Sequence, residues 1–227
     1  MLQPPRKVNT SQELAAMRAA GRLLREICAG AEGFIRSGRK EYEIVADIDR
    51  LARDQGAEDI RILAGEKRLN PPSFKQASIL GGHWALYLAV QHERYWAEAG
   101  RTFILSGDAK LKNAYQKARE IVAAMAQQVK PNGAVAAIEE TARRELGEFY
   151  GTASMYGLAN GIGLNQWEAP FLNDNDAHEV GAGWAGATTL NEGMTLALRV
   201  TFETEGKLII YGDSFEVTAS GAQPLVG

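Results

Sequence analysis

The stretch YGLANGIGLNQWEAPF, residues 156–171, combines residue types that shape a site. Gly161 and Gly163 let a backbone approach a ligand closely, and Glu168 precedes Ala169-Pro170. Where metal or proton-transfer chemistry would need imidazoles, the chain has Asn160 and Trp167. Three readings are open: a metal site without its metal, a site for other chemistry, or no site.

Two other stretches place a large polar residue among small ones. In WALYLAV, Trp84, Leu86, Leu88 and Val90 alternate with Ala85, Tyr87 and Ala89. In MTLALRVTF, Met194, Leu196, Leu198, Val200 and Phe202 share one face, and Arg199 shares the other with Ala197 and Thr201. That pattern suits a concave ligand face, and it equally suits the solvent face of an antiparallel sheet. Arg199 offers a planar fork suited to a carboxylate or phosphate, with Tyr87 and Trp167 as apolar walls.

The elements that must position these residues follow from capping and periodicity. Thr10-Ser11-Gln12-Glu13 has capping-box spacing, and Leu14, Met17, Leu24, Ile27 and Phe34 continue a helical stripe that ends near Gly38. A second helix spans about 41–55 and stops at Gly56. DIRILAG reads as a strand, EKRLNPPSFKQAS as a loop, and WALYLAV and RYWAEAGRTFIL as paired strands. Asp108 caps a helix that stops before Pro131, and a shorter one follows over about 134–146. Strand-like pieces fall at 152–158, 162–168, 194–203 and 207–218. Helix, helix, strands thus occurs twice, which predicts one α/β domain over 1–227 with internal pseudo-symmetry and a site between the halves.

Composition bounds the function. The 227 residues carry 45% hydrophobic and 23% charged side chains and a net charge of −3, which gives no electrostatic footprint for nucleic acid. No run approaches the ~20 apolar residues of a membrane span, and no signal core opens the chain, so a cytoplasmic protein is expected. The single cysteine, Cys28, lies in register with the apolar stripe of the first helix and reads as a buried thiol. His83, His92 and His178 read as surface or strand-edge residues.

Six segments, in order, carry a family likeness. ELAAMRAAGRLLREI, YWAEAGRTFILSGDAKLKNAYQKARE, VKPNG, NGIGLNQWEAPF, LNEGMTLALRV and IYGDSFEVTASGAQPL resemble the pita-bread fold family of methionine aminopeptidases, prolidases, aminopeptidase P and creatinase. The resemblance covers about 11–224. It implies helices packed on a curved, mainly antiparallel sheet, and one such domain without the N-terminal domain of creatinase and prolidase. Active metallopeptidases of this family bind two dications through two Asp, one His and two Glu. Those places fall at Tyr87, Glu98, Asn160, Arg199 and Gly212, so only Glu98 keeps a carboxylate. Trp167 and the Asn70-Pro71-Pro72 stretch stand where further histidines are expected.

The likeness therefore implies a member without the dinuclear metal site and without a cofactor. Its charges cancel between Glu98 and Arg199, and its pocket would take a small anionic molecule or a peptide. A metal-independent hydrolase or lyase is the alternative, with Glu98, Tyr87 or Glu168 as acid–base groups and Arg199 as anchor. Glu168 and Asp213 also read as structural hydrogen-bonding carboxylates. Creatine hydrolysis is not expected, since the histidine creatinase uses near Asn70 is missing. A protein-interaction module is a third reading. NDNDAHEVGAGWAGATT, residues 173–189, is expected as a lid or dimer contact, and a homodimer is expected from the family.

Overall fold

The computed structural model describes residues 8–71, 80–150, 157–172 and 189–226. Helix α1, Ser11–Glu32, opens with a complete capping box: Thr10 accepts from the Glu13 N–H, and Glu13 accepts from the Thr10 N–H. It ends earlier than the sequence stripe suggests. Gly33 is its C-cap, and the Phe34 and Ile35 N–H groups turn back to the Ala31 carbonyl, so Ile35 is buried by a turn rather than by a longer helix. Helix α2, Glu41–Asp54, buries Ile44, Val45, Ile48 and Ala52.

Strands β1 (Asp59–Gly65), β2 (His83–His92) and β3 (Tyr95–Ile104) follow as an antiparallel meander. The second half repeats this grammar. Asp108 accepts from the N–H groups of Lys110 and Leu111 and caps α3, Ala109–Ala126. Then come α4 (Val135–Leu146), a 3₁₀ turn (Gly147–Phe149), β4 (Ala159–Gly161), β5 (Glu168–Leu172), β6 (Thr195–Thr204), β7 (Lys207–Thr218) and β8 (Gly221–Pro224).

All described pairings are antiparallel, in the order β1-β2-β3-β7-β6-β4-β5, with β8 beside β7. The halves meet where Gly100 of β3 pairs with Gly212 of β7. Two glycines allow this seam, since a Cβ on Gly100 would lie 2.6 Å from Ile210 Cγ1.

The period-two alternation read from the sequence sorts side chains onto two faces. Trp84, Leu86, Leu88 and Val90 pack with α1 and α2, and Leu196, Leu198, Val200 and Phe202 pack with α3 and α4. A third cluster, with Leu69, Ala85, Tyr87, Ala89, Ala197 and Ile210, covers the opposite face. That face is therefore interior, not a solvent face.

Two strand expectations shift. The 152–158 piece falls largely outside the described residues, as do Pro72, His178 and residues 173–188 of the expected lid. Over 162–168 the chain turns rather than extends, with β5 beginning only at Glu168. The turn is stitched by its own polar groups: the Asn160 side chain donates to the carbonyls of Gly161 and Gln166, and Glu168 accepts from the Asn165 N–H.

Candidate functional site

The interior face brings together residues from four strands and one turn. Tyr87 (β2), Glu98 (β3), Asn160 (β4) and Arg199 (β6) are each at most 6% exposed. Register places them: Tyr87 opposite Gly100, Glu98 opposite Ala89, Asn160 opposite Ala197, and Arg199 opposite Gly212. Glycine and alanine opposite each large polar group leave room for it.

The contacts form one connected network. Tyr87 Oη donates to Glu98 Oε2 at 2.6 Å. Arg199 Nη1 donates to Glu98 Oε1 at 2.5 Å and to Asn160 Oδ1 at 2.6 Å. Gln166 Nε2 donates to Tyr87 Oη at 2.5 Å. Beneath Glu98, Ser214 Oγ accepts from its N–H and donates to its carbonyl, at 2.9 and 3.0 Å. Burial and the neighbouring Glu98 charge push the Tyr87 phenol well above its ordinary value, so it stays protonated at neutral pH. It can donate a hydrogen bond here but cannot act as a base.

Two participants, Gln166 and Ser214, are absent from the sequence expectations. Gln166 occupies the inward position expected of Trp167, which instead turns outward and is half exposed. The turn decides this, because its Asn160 bonds point the Gln166 side of the chain inward. Nothing in the local pattern marks Gln166. Ser214 carried a usable signal, since it shares the face of Gly212 by period two.

The remaining candidates are structural or lie elsewhere. Asp213 is on the helix-covered side, accepting from Arg101 Nη2 at 2.7 Å and from Tyr211 Oη at 3.0 Å. Glu168 Oε1 accepts from the Asn165 N–H at 2.8 Å. Cys28 is only half-buried, beside Arg101 and Tyr115, and burial pushes its thiol up to about 11. A thiol at that value is a poor nucleophile.

His92 is at the exposed end of β2, with Nδ1 3.2 Å from the Gly56 carbonyl. His83 corrects the surface reading, because it is fully buried at the start of β2 and neither ring nitrogen completes a hydrogen bond among the described residues. Burial lowers its pKa. The backbone of Leu208 and the Glu66 carboxylate oppose that shift, and Lys207 adds to it. An unfolded histidine titrates near ~6.5. The stability from burying the neutral ring is thus complete above that pH and is lost as pH falls through the lower folded value. Unfolding measured between pH 7.5 and 5 should show this acid-side loss, and His83→Phe should shrink it. An unchanged acid-side slope in the variant would refute the assignment to His83.

The donor set does not suit a divalent cation. Both Glu98 oxygens already accept hydrogen bonds, Asn160 Oδ1 is held by a guanidinium, and Gly212 supplies no side chain. A fixed positive charge 2.5 Å from the one carboxylate opposes a second cation there. Among the described residues, no three His, Cys, Asp or Glu side chains gather around a point that could hold a metal ion.

The model of metallopeptidase family M24 matches residues 15–219. The chain belongs to family M24. A Xaa-Pro dipeptidase of Pyrococcus horikoshii is 23% identical over 206 residues, covering 87% of this chain and 56% of that relative. The M24 chain thus spans about half the length of the curated relatives it matches. Among solved structures, the prolidase of Pyrococcus horikoshii OT3 superposes with a TM-score of 0.84 at 19% identity, over 98% of this chain and 64% of that one. The methionine aminopeptidase of Rickettsia prowazekii gives 0.78 at 15% identity, over 97% and 99%. The fold of this M24 member is the pita-bread fold. No helix among the described residues is long and apolar enough to cross a membrane.

Proposed function

We propose that this chain is a metal-independent member of family M24 that binds a peptide at the Tyr87–Glu98–Arg199 cluster and has no dinuclear aminopeptidase activity. The observation that carries this is the Arg199–Glu98 pair: a guanidinium is bonded to the only carboxylate left at the places the family uses for metal ligands. Two dications would have to displace a buried, neutralised pair and then rely on one carboxylate.

The same pairing favours a peptide over a small anion. An anion at Arg199 would compete with Glu98 and leave that carboxylate buried without its partner. The network instead lacks a donor at one point. Tyr87 gives its single hydroxyl hydrogen to Glu98, so its oxygen accepts from Gln166, and the Gln166 amide must present Nε2 to it. Among the described residues, Gln166 Oε1 is left buried with no partner. Such an acceptor favours a ligand that brings an N–H, as a peptide does.

Native mass spectrometry of the purified protein, together with turnover of Xaa-Pro dipeptides in added Mn²⁺ or Zn²⁺, tests this reading. The expected result is no retained dication, no turnover, and no metal-dependent rise in unfolding temperature. Bound metal with turnover would overturn it. A retained small anion that is lost in Arg199→Ala would replace the peptide by an anionic ligand.

A further inference from the structure

We propose that a second cleft, on the helix-covered side of the sheet, binds an amphipathic carboxylate: an apolar chain or ring carrying one anionic head. The cleft lies between α3 and the β7–β8 corner, away from the Glu98–Arg199 cluster, and is an open groove of about 570 Å³. That volume is within the range of small-molecule sites.

Its chemistry follows from one flank of α3. Arg119, Val122, Ala123 and Ala126 follow one another at helical spacing, so a cationic residue begins a stripe of small apolar ones that ends at the Gln127 C-cap. Between Arg119 and Ala126 the helix rises about 10 Å, enough to lay an eight-carbon chain alongside. Phe215, Ala222 and Pro224 form the facing wall, and Lys130 stands beyond the end of α3. The walls are mainly apolar, with Gln127 and Ser220 adding neutral polar groups, while both ends carry positive charge.

The acidic residue in the cleft does not cancel those charges. Both oxygens of Asp213 are held, one by Arg101 and one by Tyr211, so its charge is already balanced. The Arg119 guanidinium lies 5.9 Å from the centre of the Tyr211 ring, which inclines it toward the cleft. Arg119 and Lys130 are exposed, and neither forms an ion pair with a described carboxylate. In a protein of net charge −3, two such cations flanking an apolar cleft select for an anionic head over a neutral or cationic one.

Calorimetric titration with octanoate and with 1-octanol, which share a tail length and differ in charge, tests this. One octanoate site is expected, at least about tenfold tighter than for 1-octanol. Arg119→Glu or Lys130→Glu should lower octanoate affinity by about tenfold or more while leaving 1-octanol unchanged. Whichever substitution does so marks the end that holds the head. Ala126→Trp, which fills the cleft from its partly exposed flank, should abolish both. The charge variants alter exposed residues, so folding, checked by circular dichroism, is expected to persist. The proposal is overturned if octanoate does not saturate, if it binds no tighter than 1-octanol, or if neither charge variant weakens it. None of these results bears on the metal question at the Glu98–Arg199 cluster.

Discussion

Replacing Arg199 with alanine is expected to lower stability by about 3–5 kcal/mol, the scale for removing one partner of a buried ion pair. Glu98 is 2% exposed and its carboxylate would keep, among the described residues, only the Tyr87 hydroxyl, a hydrogen bond that does not neutralise its charge. Asn160 Oδ1 would lose its guanidinium donor in the same step. The paired change Glu98→Leu with Arg199→Met removes both charges at similar volume and should recover most of the loss. Urea unfolding midpoints at unchanged slope would measure both effects. If Arg199→Ala cost no more than a typical surface substitution, within about 0.5 kcal/mol, the pair would not hold the interior of this face together.

The second large effect is expected at Gly212. A Cβ there would lie 2.7 Å from Arg199 Cβ and 2.9 Å from the Leu198 carbonyl oxygen. These atoms belong to the backbone or its first carbon, so no rotamer change relieves the clash and β6 and β7 must separate. Gly212→Ala should therefore cost about 1–3 kcal/mol, the range for overpacking. Gly212→Glu, which restores the residue type the family resemblance places there, should cost more. It would add a second carboxylate to a face where one guanidinium already serves Glu98. Thermal unfolding with and without Mn²⁺ measures this. A Gly212→Glu protein as stable as its parent, or one stabilised by metal, would show that the close packing at Gly212 does not keep a ligand out.

Much of the fold was legible because its signals are local. The capping box at Thr10 and the Asp108 cap fix where two helices begin. Alternation in β2 and β6 fixes which residues face the helices. The end of α1 differs because Phe34, the last residue of the apolar stripe, packs on the same core from a turn after Gly33, and an apolar residue in register does not distinguish a turn from another helical residue. The 162–168 piece differs because nothing in its local sequence shows that Asn160 bonds across the turn.

By itself the sequence determined the repeated order of helices and strands, the two faces of each long strand, and the side-chain types at the places the family uses for metal ligands. Each depends on residue identity and short-range spacing. The Glu98–Arg199 pair follows from the family likeness, but only the tertiary structure decided that Tyr87 and Asn160 join it in one buried network and that, among the described residues, Gln166 Oε1 is left without a donor. It also decided that His83 is buried and that Trp167 faces out where Gln166 faces in. Such pairings depend on strand order, on register across the Gly100–Gly212 seam, and on the direction of one stitched turn. Alternation assigns a side chain to a face, but long-range packing selects the partner it meets there.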